Sequence, residues 1–136
     1  MSPKEIVQDM FQAFAEGDMQ RLLNRCAPTC EWIVPGSSNL PTSGRYVGKQ
    51  EIGHFFARVS ETMQFDLFEV REFIAENDRV VVLGRSTARF PGAPKTVTCD
   101  WTMVFTFSGD KVVRFEEFYD TAPLEKALEG VMAHVA

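Results

Sequence analysis

Of the residues able to do acid–base chemistry in this 136-residue chain, two adjacent glutamates are the most informative. They lie in VVRFEEFYD, Val112 to Asp120, a stretch of β-branched and aromatic residues that reads as a strand. Neighbouring residues of a strand point to opposite faces, so Glu116 and Glu117 must sit in different environments. Val113, Phe115, Glu117 and Tyr119 form one set, with two aromatics and a single acid; Val112, Arg114, Glu116 and Phe118 form the other and carry two charges. The pattern turns Glu117 toward the interior and Glu116 outward, although a one-residue slip in register would reverse the assignment. A carboxyl group among apolar neighbours is disfavoured in its charged form, so its pKa rises. That poises it as a general acid or base near neutral pH. Proton transfer next to a carbonyl uses such a group.

A substrate oxygen would also need a hydrogen-bond donor. Tyr46, Arg85, Trp101 and Tyr119 carry phenol, guanidinium and indole donors, and Trp32 and Phe115 supply candidate apolar lining. The competing role for Glu117 is a structural ion pair with Arg85 or Arg114. Glu117→Gln separates the two roles: loss of turnover with little change in melting temperature for catalysis, ready unfolding for the ion pair. Asp100 is expected on the outer face and Asp120 as a helix cap. His54 falls opposite the apolar stripe of its helix and is expected in solvent. Cys26, Cys30 and Cys99 have neither disulfide-framework nor metal-site spacing and read as reduced, mostly buried thiols acting as small hydrophobes. No metal site is expected.

The elements that position these residues follow from periodicity. Ser2-Pro3-Lys4-Glu5 is a helix start with cap, proline and capping-box glutamate in place. Ile6, Met10, Ala13 and Phe14 continue it at helical spacing to Gly17. Asp18 caps a second helix carrying Leu22, Leu23 and Cys26, which Pro28 should stop. Glu31 to Val34 reads as a short strand, and the turn-rich run Pro35 to Gly44 as a functional loop that could close over a pocket. A third helix after Tyr46 and Gly48 carries Ile52, Phe55, Phe56, Val59 and Met63. From Phe65 the period changes to two. Phe65 to Ala75, Arg79 to Phe90, Val97 to Phe107 and Val112 to Tyr119 form an antiparallel meander with short turns. A final helix opens at Pro123 with Leu124, Leu128, Val131 and Val135. The fold class is therefore α+β: a curved antiparallel sheet wrapped around three N-terminal helices, with a C-terminal helix. Cys99, Trp101, Met103, Phe105 and Phe107 mark the core face of the third long strand; its threonine-rich face is left to solvent or to a dimer partner.

Composition narrows the partners. A net charge of −5 with no basic run argues against nucleic acid. No signal peptide and no apolar stretch of membrane-spanning length is present, so a soluble cytoplasmic protein is expected.

The helix ending in AEGD, the EW strand, the loop running into GRYVGKQEI and the SGDKVVRFEEFYDT hairpin together resemble the SnoaL-like group of the nuclear transport factor 2-like superfamily. Ketosteroid isomerase and limonene epoxide hydrolase also belong to that superfamily. The resemblance runs from about Ile6 to Leu128 and identifies residues 1–136 as a single SnoaL-like domain. It implies a cone-shaped α+β barrel with a deep apolar pocket that takes a hydrophobic small molecule, no cofactor, and often a homodimer through the outer sheet face. It also implies a catalytic acid on the last strand, where this chain has Glu117, a glutamate where the family's cyclases and epoxide hydrolases have an aspartate. The ketosteroid isomerase machinery is not matched: Ile33, Val34 and Pro35 stand near its general base, and Met10 and Met103 near its oxyanion donors. Of the epoxide hydrolase's acid–arginine–acid arrangement, Arg85 aligns with the arginine, but Thr87 replaces the second acid. The implied activity is an isomerase, cyclase or hydrolase; the alternative is a non-catalytic ligand-binding or dimeric assembly domain.

Overall fold

The computed structural model describes residues 1–135, with side chains through Gly130. The expected stripe positions Val131 and Val135 lie, as side chains, outside the described residues. The element order is α1 (Pro3–Glu16), α2 (Met19–Leu23), β1 (Cys26–Val34), β2 (Gly44–Val47), α3 (Gly48–Thr62), β3 (Gln64–Glu76), β4 (Arg79–Arg89), β5 (Val97–Ser108), β6 (Lys111–Tyr119) and α4 (Ala122–Val135).

The first helix starts as its sequence dictates. Ser2 Oγ accepts from the Glu5 N–H while the Glu5 carboxylate accepts from the Ser2 N–H, closing a capping box. Gly17, in the left-handed conformation at φ 73°, ends it and passes the chain to Asp18, which caps α2. Asp9 on α1 bridges Arg21 and Arg25, tying the helix pair to the start of β1. Ile6, Val7, Met10 and Ala13 bury one face of α1, and Ile52 and Phe55 do so for α3. His54 is exposed, as its place on the wheel requires.

Six strands form one curved, unclosed sheet in the order β2-β1-β6-β5-β4-β3. The four-strand meander β3 to β6 lies within a residue or two of the positions its alternation predicts. Alternation also assigns the core face of β5 correctly: Trp101, Met103, Phe105 and Phe107 are buried, and Val80, Val82, Ser86 and Ala88 of β4 are buried beside them. Breaks in register within β3, between Phe65 and Leu67 and between Val70 and Glu72, bend that edge strand.

Three expectations are corrected. Pro28 does not stop a helix. The second helix is a single turn, Cys26 already belongs to β1, and Pro28 lies inside that strand. It is tolerated because its missing N–H falls where the ladder to β6 is interrupted, between Cys26 and Glu31, and before pairing with β2 begins at Glu31. The sheet is mixed rather than antiparallel, since β1 runs parallel to β6 with Trp32 opposite Phe115 and Ile33 opposite Glu116. A sixth strand, Gly44–Val47, forms where the turn-rich loop returns along β1. The α+β fold class is as expected, its curved sheet open with β2 and β3 at the edges. Among the described residues no helix is long and apolar enough to cross a membrane.

Candidate active site

The core cluster between helices and sheet is not completely filled. A cavity of about 120 Å³ lies within it, walled by Met10, Phe11 and Phe14 of α1, Phe55, Phe56 and Val59 of α3, and inward side chains of β1 and β3 to β6, with Leu124 of α4 at one side. The walls are overwhelmingly aromatic and aliphatic. The polar exceptions are Glu117, Tyr119, Ser86, Thr42 and Cys99, together with the edges of two indoles.

Glu117 enters this cavity because the ladder sets its side chain beside the core face of β5, with Met103 opposite Glu117, Phe105 opposite Phe115 and Trp101 opposite Tyr119. Glu116 lies on the other face, where Arg114 donates to it at 3.4 Å and to Glu31 at 3.3 Å. Neither arginine proposed as an ion-pair partner reaches Glu117. Arg114 is held by Glu31 and Glu116, and Arg85 by Asp100 at 3.5 Å on the outer face. Burial, uncompensated by any charge or hydrogen bond, pushes the Glu117 carboxyl up to about 7. The residual accessible surface of this half-buried residue opens onto the cavity. Burial, followed by the nearby Glu117 charge, raises the Tyr119 phenol above its usual range, so it keeps its proton. The Cys99 thiol is raised by the same two causes in the same order.

The other expected site residues divide between the cavity and the rest of the fold. Trp32, Trp101, Phe115 and Tyr119 line the cavity. Trp32 and Phe115 stack with ring centroids 3.8 Å apart, making one wall rigid. Trp101 stacks against Phe11 and Phe68, and its Nε1 donates to Ser86 Oγ at 2.7 Å. Tyr46 does not line the cavity. It is buried against Phe55, and its hydroxyl donates to the Thr42 carbonyl at 2.9 Å, anchoring the Pro35 to Gly44 loop. Arg85 is exposed on the outer face because it occupies an odd position of β4, whose even positions point inward. Both assignments are therefore corrected. Asp100 lies outside as expected, and Asp120 accepts from the Ala122 N–H at the start of α4.

Two polar cavity residues, Ser86 and Thr42, went unread in the sequence. Ser86 sits among Val80, Val82 and Ala88 in the inward register of β4, and a hydroxyl at a core position of a strand was the available signal. Cys99 is half-buried rather than sealed in the core, while Cys26 and Cys30 are fully buried. Among the described residues no group of three or more His, Cys, Asp or Glu side chains could hold a metal ion.

An open, curved sheet closed over by helices around one largely apolar cavity defines the class of nuclear transport factor 2-like α+β proteins. The SnoaL-like domain family matches residues 7–115, and the chain belongs to that family. Its fold is similar to that of an NTF2-like protein from Burkholderia xenovorans LB400, at 32% identity over 93% of this chain and 95% of that one, with a TM-score of 0.85. It is likewise similar to an NTF2-like protein of Burkholderia pseudomallei K96243, at 27% identity, 94% and 98% coverage and a TM-score of 0.85. A third similar structure is TerC co-crystallised with polyporic acid, at 29% identity, 94% and 99% coverage and a TM-score of 0.79. No curated protein matches the chain.

Proposed function

We propose that the protein takes a small, apolar, oxygenated ring compound into its cavity and transforms it by cofactor-independent general acid–base catalysis, with Glu117 as the catalytic carboxylate. The observation that carries this reading is the isolation of that group. Glu117 is the one ionisable acid among the cavity-lining residues, and no Lys, Arg or His joins it there among the described residues. With its pKa lifted to about 7 by burial, acid and carboxylate forms coexist near neutrality, so one side chain can both take a proton and return it. Isomerase or cyclase chemistry is better supported than epoxide hydrolysis, because Arg85 and Thr87 both belong to the outer register of β4. That TerC was co-crystallised with polyporic acid supports ligand binding by this fold.

The direct experiment is solvent deuterium exchange at the α-carbon of small cyclic ketones, followed by proton NMR. The protein is expected to accelerate exchange over buffer, with a rate that rises as pH passes through about 7 and then levels, because the carboxylate is the proton acceptor. Absence of acceleration with every ketone that binds would end the catalytic reading and leave a binding domain.

The outer sheet face supports assembly as a homodimer. Phe118 is 50% exposed there and Ile74 47%, and the register aligns Ile33, Glu116, Val104, Val81 and Ile74 in one row across the sheet. Phe118→Asp is expected to convert a dimer to a monomer in light scattering; a monomeric parent protein would remove this part of the proposal.

A further inference from the structure

General acid–base chemistry beside a carbonyl needs more than a base. Negative charge develops on the carbonyl oxygen as the α-proton leaves, and a fixed donor at that oxygen lowers the barrier. Three of the donors expected from the sequence are already committed. The Tyr46 hydroxyl is used by the Thr42 carbonyl, the Trp101 N–H by Ser86, and Arg85 by Asp100 on the far side of the sheet. The Trp32 N–H has no protein acceptor among the described residues, but the atom is sealed from the cavity surface.

Tyr119 is different. It lies two residues beyond Glu117 on the same face of β6, lines the cavity, and remains partly accessible. No hydrogen bond engages its hydroxyl among the described residues. We propose that Tyr119 binds the substrate oxygen, donating its phenolic O–H to the carbonyl of a single-ring ketone whose α-carbon faces Glu117. This rests on the reading of Glu117 as the proton acceptor.

Size and spacing support the assignment. Two residues apart on one strand face is roughly 7 Å, a span that a carbonyl group and its α-carbon can bridge between two side chains. A cavity of about 120 Å³ is close to the roughly 150 Å³ that accommodates benzene in an engineered apolar cavity, which suits one six-membered ring. Tyr119 stays a phenol, and hence a donor, because burial and the Glu117 charge both oppose its ionisation. The step is balanced within the pair. The α-C–H bond breaks, its proton passes to the Glu117 carboxylate, and the electron pair moves to the oxygen, where the Tyr119 O–H stabilises the enolate. Return of the proton to the same carbon, or to one conjugated with it, restores the carboxylate.

The test uses cyclohexanone and methylenecyclohexane, which share a shape and differ in the exocyclic atom. Binding of each to the parent protein and to Tyr119→Phe is measured by ligand-observed NMR titration. Tyr119→Phe is expected to weaken cyclohexanone about tenfold, the loss of one hydrogen bond, and to leave methylenecyclohexane unchanged or slightly tighter. Equal changes for both compounds, or none for either, would overturn the assignment; the hydrocarbon also controls for a disturbed fold. Deuterium exchange separates this proposal from the one it rests on. Glu117-dependent exchange unaffected by Tyr119→Phe overturns the role of Tyr119 alone. A Tyr119-dependent preference for the ketone without any exchange supports the oxygen site and removes the catalytic reading of Glu117.

Discussion

Glu117→Gln is expected to slow α-proton exchange by roughly 10²- to 10⁴-fold, the usual contribution of a positioned proton-transfer group, and at the same time to stabilise the protein above neutral pH. The sign follows from the raised pKa. An unfolded glutamate ionises near 4.5, whereas the native cavity holds the proton until about 7. Between those values the folded state binds more protons than the unfolded one, so stability is fully present below 4.5, falls as pH rises, and is lost above about 7. The full effect is about 3 kcal/mol at most, and less where water enters the cavity. Glutamine resembles the protonated acid and carries no such penalty. The parent and the variant should therefore have similar urea midpoints near pH 5, and the variant should be the more stable at pH 8. The sequence led us to expect an unchanged melting temperature; the isolation of Glu117 restricts that expectation to acidic conditions. A variant less stable than the parent at both pH values would show that Glu117 holds the fold together.

The second large effect is expected at Gly84. A methyl group built there would lie 2.1 Å from Trp101 Cζ2, 2.4 Å from Cη2 and 2.5 Å from the Glu69 carbonyl oxygen. The indole has no easy retreat, because it is stacked on Phe11 and Phe68 and hydrogen-bonded to Ser86. Gly84→Ala should then cost about 3 kcal/mol or more, by forcing either the ring or the β3–β4 backbone to move. For a chain of this size that lowers the melting temperature by about 10 °C. Displacement of the ring would also disturb the cavity wall, so ketone binding should fall with stability. A variant within about 1 kcal/mol of the parent would mean that the sheet yields at this point at little cost.

Both effects arise where two inward-facing strands meet, and they show how much of the site could be read in advance. The long meander was legible because alternation over many residues is a local signal: Trp101, Met103, Phe105 and Phe107 mark one face without reference to any other strand. The inward direction of Glu117 followed from the same reasoning, and the ladder pairs it with Met103 as that requires. The helix starts at Ser2 and Asp18 were legible because caps are made by neighbours in sequence. By contrast, β1 looked too short and Pro28 looked like a stop, since its tolerance depends on a break in pairing with a strand more than 80 residues later.

Residue type and alternation alone determined that one acid of the VVRFEEFYD strand faces an apolar interior. They also determined that helices precede a meander, and that the chain carries a net charge of −5. These properties are local or additive, so they survive without knowledge of contacts. Tertiary structure alone decided which donors are free. Arg85 and Tyr46 were credible partners until the register turned one outward and the loop claimed the hydroxyl of the other; Ser86 then engaged Trp101, leaving Tyr119 beside Glu117. Hydrogen bonds and ion pairs between distant segments depend on register and approach to within about 3 Å, and periodicity in a single chain carries no measure of either.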